Sequence, residues 1–350
     1  MRIAQIAPLT ESVPPRTYGG TERVVSYLTE ELMAMGHDVT LFASGDSVTT
    51  ARLVAGWPQA LRFDQNLRDA MAPPMLQMEK VYQHAHEFDV LHGHLDYWPF
   101  SLLSRQPTPF LTTLHGRLDL PELTEVYDCF ADTPLVSISD AQRRPLPRGN
   151  FVATVHHGLP PNLLTPRSMQ RDYLAFLGRI CPEKSPDRAI RIARAAGMKL
   201  KIAAKIDRVD RDYFETQIRP LIDGDQIEMI GEIGDAEKPA FLGGAKAMLL
   251  PIDWPEPFGL VMIEAMACGT PTIAFPAGSV PEVIDDGVTG FVVPDEAAAV
   301  AALGRLDRLS SIAIRARFEQ RFTARRMVED YLDLYRHMAL KTRPALRVVT

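Results

Sequence analysis

Leu249 to Gly269 reads L-L-P-I-D-W-P-E-P-F-G-L-V-M-I-E-A-M-A-C-G, and a strand, a loop and a buried helix can be read from it in turn. Ala247 to Ile252 is a short apolar run of the kind that forms a buried strand. Pro255 and Pro257 then call for a loop. From Phe258 to Cys268 the apolar run is long enough for a helix, and Gly269 suits the left-handed position that closes one. Leu260, Val261, Met262, Ile263, Ala265, Met266 and Ala267 are apolar all round its axis, which marks a buried helix. One charge lies inside it, Glu264.

A buried carboxylate is costly unless a polar group holds it. Two readings compete for Glu264. It forms a structural pair with an arginine elsewhere, or it points from the buried helix into a cleft and grips ligand hydroxyls. Glu256 lies eight residues earlier, just before the helix N-terminus, where backbone N–H groups and the helix dipole favour oxygen-rich ligands. A loop carboxylate and a helix carboxylate lining one pocket at different depths favour the ligand.

The segment from Glu256 to Glu264 resembles the E-x7-E motif of retaining GT-B glycosyltransferases of the family-4 type, in its E-P-F-G-L form. Gly269 to Val293, G-T-P-T-I-A-F-P-A-G-S-V-P-E-V-I-D-D-G-V-T-G-F-V-V, is similar to the same family. The resemblance implies an α/β fold of GT-B architecture, with two Rossmann-like domains whose parallel sheets face a central cleft. It also implies that Glu256 contacts hydroxyls of a donor sugar and that Glu264 holds the ribose of its nucleotide. Backbone amides at Phe258, Gly259 and Leu260 would then face the sugar and phosphate.

The bulk properties agree with such a chain. Single cores rarely grow past about 250–300 residues, so 350 residues suggest two domains. At 46% apolar and 23% charged, the composition is that of an ordinary globular protein. A net charge of −6 argues against a general nucleic-acid binder. No run approaches the roughly 18 apolar residues of a membrane span, and M-R-I-A-Q-I-A-P reads as a first strand rather than a signal peptide. Cys129, Cys181 and Cys268 are far apart and lack C-x-x-C spacing, which fits reduced thiols in a cytoplasm.

In the first half, Arg2 to Ala7 reads as a strand, a helix runs from about Thr21 to Met35 with Gly36 closing it, and Asp38 to Ala43 is the next strand. This order implies a parallel sheet. Tyr18-Gly19-Gly20 precedes the helix; a glycine pair there is ordinary turn chemistry or lets amides approach a phosphate. Residues 45 to 87 are less readable, with loop and helix around Met71 to Met78. Phe88 to His92, Pro109 to Leu114, Leu135 to Ile138 and Phe151 to Val155 supply further strands. His92, His94 and Asp96 invite a metal reading, but three donors at this spacing fit hydrogen-bonding histidines better. His115 stands at the C-terminal edge of its strand, where doubly wound sheets place ligands. The resemblance extends to Gly19, Gly20 and Glu22, which match a G-G-x-E segment beside the donor diphosphate and the acceptor. It extends also to His115, which matches a histidine that contacts the donor sugar.

In the second half, Tyr173 to Leu177 is a strand followed by Gly178-Arg179-Ile180-Cys181-Pro182-Glu183-Lys184. Ser185 is an N-cap candidate and Pro186 suits the first position of a helix to Gly197. Arg179 and Lys184 on a strand-to-helix loop are solvated charges or an anion trap; their G-R-x4-K spacing resembles the family's diphosphate site. Leu200 to Ala204 and Gln226 to Ile230 are strands. The resemblance implies that the turn Gly231-Glu232-Ile233 cups the base, with Ile233 its contact. Gly278, Ser279 and Val280 form a loop before a helix at Pro281. Ser311 to Met338 reads as one amphipathic helix carrying Arg315, Arg317, Arg321, Arg325 and Arg326; a solvated face fits it better than weak contact with anionic lipid.

These readings divide the chain into an N-terminal acceptor-side domain (1–160), a nucleotide-sugar domain (161–325) and a terminal helix (326–350) that the family fold sends back to the first domain. The resemblance implies a metal-independent, retaining transferase without a cofactor. It would move a sugar from a UDP-, GDP- or ADP-sugar to a hydroxyl acceptor. His115, Arg179, Lys184 and Glu256 would serve the chemistry, and Gly19, Gly20, Ile233, Phe258, Gly259, Leu260 and Glu264 would bind the donor. A nucleotide-sugar epimerase or hydrolase, and a non-catalytic nucleotide-sugar sensor, are the alternatives.

Overall fold

The computed structural model describes residues 1–16, 19–167 and 170–342, with side chains described to residue 340. Tyr18 and the end of the chain beyond 342 therefore lie outside the described residues. The chain forms two compact units. The first comprises Met1–Ile138, Arg143–Gly158 and the segment that starts at Ala324; the second comprises Ser139–Gln142 and Leu159–Thr323.

Seven parallel strands form the sheet of the first unit: β1 (Arg2–Ile6), β2 (Asp38–Ser44), β3 (Arg52–Trp57), β4 (Val90–Gly93), β5 (Phe110–Thr113), β6 (Leu135–Ser137) and β7 (Phe151–Thr154). Their spatial order is β3-β2-β1-β4-β5-β6-β7. Ile3 of β1 stands between Val39 of β2 and Val90 of β4, all buried. Strands covered on both faces read as near-continuous apolar runs, which is why most of them were legible. The edge strand β3 was not, because Arg52–Trp57 is only partly buried and shows no clean alternation. The helix Gly20–Ala34 turns Val24, Val25, Leu28 and Leu32 inward. Within residues 45 to 87 the helix is Ala72–His84, longer than the methionine-rich stretch alone suggests, with Met75 and Leu76 left exposed.

The second unit holds six parallel strands: β8 (Tyr173–Arg179), β9 (Lys199–Lys205), β10 (Ile227–Gly231), β11 (Ala245–Leu250), β12 (Thr272–Ala274) and β13 (Gly290–Val292). Their order is β10-β9-β8-β11-β12-β13. Leu174, Phe176, Ile190, Ile202, Leu249 and Ile273 belong to the core beside this sheet. As the opening stretch predicts, β11 leads through a loop into the helix Leu260–Ala267, buried from Met262 onward. Gly269 takes the left-handed conformation, φ +66°.

Both sheets reverse their order beside their first strand, between β1 and β4 and between β8 and β11. Loops on either side of such a reversal diverge, and the crevice they leave at the carboxyl ends of the strands is where doubly wound sheets bind ligands.

Two expectations are corrected. Ser311 to Met338 is not one helix but two, Ser311–Arg321 and Ala324–Thr342. The break falls at Phe322, whose carbonyl accepts from Leu159 N–H at 2.9 Å, with Thr323 bridged to Leu159. The second of these helices packs in the first unit, with Tyr331 and Tyr335 buried. Ser185 precedes the helix Pro186–Ala195 but does not cap it. Its backbone is left-handed, φ 49°, and its hydroxyl donates back to the Pro182 carbonyl at 3.0 Å.

Candidate active site

In the second unit, the predicted site residues flank the switch point. Arg179 is the last residue of β8 rather than a loop residue, and Lys184 ends the short turn Pro182–Lys184 that follows. On the other side, β11 leads to Glu256 and on to the helix start at Leu260. The Lys184 ammonium donates to Glu256 Oε2, and the Trp254 indole N–H donates to the same oxygen at 2.9 Å. Glu256 is 7% exposed, so this is a nearly buried pair.

The backbone at Glu256 is clamped. Its carbonyl accepts from Ser279 N–H at 2.9 Å, and Ser279 Oγ donates to the Phe258 carbonyl at 2.8 Å. A Cβ on Gly278 would lie 2.3 Å from both the nitrogen and the oxygen of Glu256, so only glycine permits this approach. Gly259 is also left-handed, φ +76°, and turns the chain into the helix. The first amides of a helix have no intrahelical acceptor, so Leu260 opens a donor-rich edge beside Glu256.

Arg179 is not bonded to Glu256. It faces Asp207 at 3.6 Å and Asp210 at 3.7 Å, and Asp207 also pairs with Lys205 at 3.0 Å. Glu183, unnoticed in the sequence, lies between the two cations along the chain: its carboxyl is held below the usual carboxylate range by its own backbone N–H, by the Cys181 thiol and by the charges of Arg179 and Lys184.

Glu264 finds a cation, but not an arginine. Lys238 Nζ donates to Glu264 Oε1 at 2.6 Å and pairs with Asp235 at 3.1 Å. Lys238 is 8% exposed and Glu264 3%. Sequence reasoning missed Lys238; its signal was a lone cation at the head of the apolar helix Lys238–Gly243. Ile233 opens the turn that delivers it: Gly234 N–H donates to Glu237 Oε2 at 2.8 Å, and Lys238 N–H donates to the Gly234 carbonyl at 3.2 Å.

In the first unit, Gly19 and Gly20 lie after β1, and His94 and His115 follow β4 and β5. Gly19 needs its missing side chain, because a Cβ would sit 2.8 Å from Pro15; Gly20 is exposed with open space around it. Glu22 is buried, and that burial raises its carboxyl above the usual range, helped by the charge of Glu11. Both ring nitrogens of His92 and of His94 are engaged in hydrogen bonds, as expected of structural histidines. Among the described residues no group of three or more His, Cys, Asp or Glu is placed to hold a metal ion. His115 Nε2 lies 2.9 Å from His94 Nδ1, and its ring stacks on His157 at 5.3 Å. Burial lowers the His115 pKa to about 3, so its ring is neutral.

The five arginines of the basic stretch are engaged within their own units. Arg315 donates to the carbonyls of Pro161, Leu164 and Ala267; Arg317 and Arg321 pair with Asp285. Arg325 pairs with Glu329 and Glu31, and Arg326 pairs with Asp330 and donates to the His156 carbonyl. They are brackets of the fold before they are a surface charge.

A family described as Glycosyl transferases group 1 matches residues 165–322, and one described as Glycosyltransferase Family 4 matches residues 18–148. The chain belongs to the family-4 glycosyltransferases. Among relatives of this glycosyltransferase, a D-inositol 3-phosphate glycosyltransferase of Saccharomonospora viridis is 30% identical over 63% of this chain and 53% of its own length. The chain thus spans about half the length of that relative. A phosphatidyl-myo-inositol mannosyltransferase of Mycolicibacterium smegmatis is 26% identical over 93% of this chain and 89% of its own. A sucrose-phosphate synthase of Thermosynechococcus elongatus shares the fold, with a TM-score of 0.81 at 20% identity, covering 97% of this chain and 99% of that one. So does Anabaena HepE, solved in complex with UDP-glucose, with a TM-score of 0.73 at 17% identity over 96% and 100% of the two chains. The glycosyltransferase has, among its described residues, no helix long and apolar enough to cross a membrane.

Proposed function

We propose that this glycosyltransferase is a retaining, metal-independent enzyme that moves a sugar from a nucleoside-diphosphate sugar to a hydroxyl of a glycan, lipid or small molecule. The observation that carries the reading is the meeting of Lys184 and Glu256 at the β8/β11 switch point. A cation there matches the chemistry of a departing diphosphate, and a carboxylate matches sugar hydroxyls. As the anomeric bond breaks, negative charge develops on the leaving phosphate. Groups already aimed at that charge lower the barrier most. Lys184 and Arg179 take this role, Lys184 exchanging its carboxylate partner for phosphate oxygens.

Glu256 positions the donor sugar and is not assigned as a nucleophile. Glu264, oriented by Lys238, accepts from ribose hydroxyls. The amides of Phe258, Gly259 and Leu260 serve the sugar and phosphate, Ile233 the base, and Gly19, Gly20 and His115 further donor contacts. The UDP-glucose bound by Anabaena HepE supports a uridine nucleotide as the first donor to try. The free cysteines Cys129, Cys181 and Cys268 support a cytoplasmic location. The domain division at 160 and 325 is retained as part of the same proposal.

The test is a thermal-shift panel of UDP-, GDP- and ADP-sugars. A ligand at 100 times its Kd stabilises the folded state by about 2.7 kcal/mol. One nucleotide class should raise Tm, and the same donors should release nucleoside diphosphate slowly to water. No shift with any donor, together with no release, would refute the reading.

A further inference from the structure

Below the switch point of the first unit runs a chain of buried polar side chains that the donor contacts leave unused. Gln5, within β1, is fully buried and uses both ends of its amide. Its Nε2 donates to the Tyr335 hydroxyl at 3.1 Å, and its Oε1 lies 2.8 Å from His94 Nε2. A carbonyl oxygen only accepts, so the proton of His94 is on Nε2. Burial holds His94 well below the ordinary histidine pKa, so its ring carries one proton and Nδ1 is a lone pair. The partner at 2.9 Å, His115 Nε2, is therefore the donor, and the neutral His115 ring keeps Nδ1 as an acceptor.

The other branch runs the same way. The Tyr335 hydroxyl, accepting from Gln5, donates to His92 Nδ1 at 2.6 Å. His92 Nε2 then donates to Thr113 Oγ1 at 2.7 Å, and Thr113 donates to the Tyr331 hydroxyl at 2.8 Å. One amide orientation thus sets the direction of every bond in the network. Turning that amide over would reverse all of them, including the tautomer of His115.

We propose that Gln5 is a positioning residue that fixes, through His94, the tautomer in which His115 presents Nδ1 as a hydrogen-bond acceptor to a hydroxyl of the bound ligand. The ligand contact rests on the placement of His115 in the donor site; the tautomer does not. A neutral ring with a lone pair on Nδ1 accepts from a sugar hydroxyl and is ill suited to a phosphate or carbonyl oxygen. His115 would then reject acceptor-only oxygens and take an O–H group as donor, where a protonated or reversed ring would admit either.

The test is long-range proton–nitrogen NMR of the uniformly labelled protein at neutral pH, with His115 assigned by comparison with His115→Gln. The wild-type chain alone decides the first point: His94 and His115 should both carry their proton on Nε2. Gln5→Met removes the amide acceptor and should move His115 to a mixture of tautomers, while Gln5→Glu keeps a carbonyl oxygen for His94 and should preserve the wild-type pattern. In parallel, kcat/KM should fall about fivefold to tenfold in Gln5→Met, the loss of about one hydrogen bond, and recover in Gln5→Glu. A wild-type His115 protonated on Nδ1, or a His115 tautomer untouched by Gln5→Met, overturns the relay. A moved tautomer with unchanged kcat/KM keeps the relay and overturns the ligand contact.

Discussion

Lys184 and Glu256, 72 residues apart, are hydrogen-bonded to each other at the carboxyl ends of two neighbouring strands. The pairing is possible because β8 and β11 are adjacent in space though not in sequence. Each group neutralises the other in a nearly buried position, where neither could stand alone cheaply. Glu256 keeps a second donor in the Trp254 indole, so the lysine can change partner without orphaning the acid.

Lys184→Ala should therefore separate activity from folding. We expect transfer to fall by about 100-fold to 1000-fold, the usual cost of removing one preorganised charge partner. The far-UV spectrum should be unchanged. A correctly folded variant with normal turnover would remove Lys184 from the diphosphate site.

Lys238 and Glu264 are more deeply buried and should behave as a coupled pair. Lys238→Met strands a buried carboxylate and should cost about 3–5 kcal/mol of stability. The double variant with Glu264→Gln should recover most of that, because the stranded charge is gone. Urea denaturation of the four chains gives the coupling, and additive single effects would contradict it. Glu264→Gln should also weaken nucleotide affinity by calorimetry.

Gly278→Ala should damage the site without touching a polar group. A Cβ in a left-handed conformation costs about 1–2 kcal/mol by itself. At 2.3 Å from Glu256 N and O it must also displace that backbone. A lower Tm and a larger donor KM are expected together. An Ala variant with wild-type KM would mean that the Glu256 loop is not clamped as described.

The acid limb of stability should carry the mark of His115. Its folded pKa is about 3, below the ordinary value near 6.5. A depressed folded pKa means that the unfolded chain binds the proton more readily. The contribution is therefore complete above about pH 6.5 and is lost as pH falls toward 3. His92, His94 and His157, all lowered by burial, act in the same direction. Urea midpoints between neutral and acidic pH should fall with that slope, and His115→Gln should flatten it. An unaltered slope would show that His115 titrates normally.

Much of the fold was legible because the two sheets are parallel and buried on both faces, so their strands are plain apolar runs. The stretch around Glu264 was readable for a sharper reason: a charge inside an all-apolar helix has few explanations. What escaped was set by distant partners. Nothing local marks Arg52–Trp57 as an edge strand. Lys238 is one lysine among many until its ammonium is seen on Glu264. The helix periodicity from Ser311 onward continues through Phe322, and only the carbonyl taken by Leu159 shows where the helix stops. Ser185 is a fitting cap by residue type, overruled by its left-handed backbone.

Tyr335 under β1 and β4 has a consequence for the order of synthesis. The hydroxyl that joins Gln5 to His92 comes from a segment made long after both. On a ribosome, the second unit, almost all of it continuous from Leu159 to Thr323, can complete its sheet and core as it emerges. The first unit waits, with a buried histidine and a glutamine lacking their partner, until the helix that begins at Ala324 has been delivered. The half of the molecule translated first is thus the half finished last.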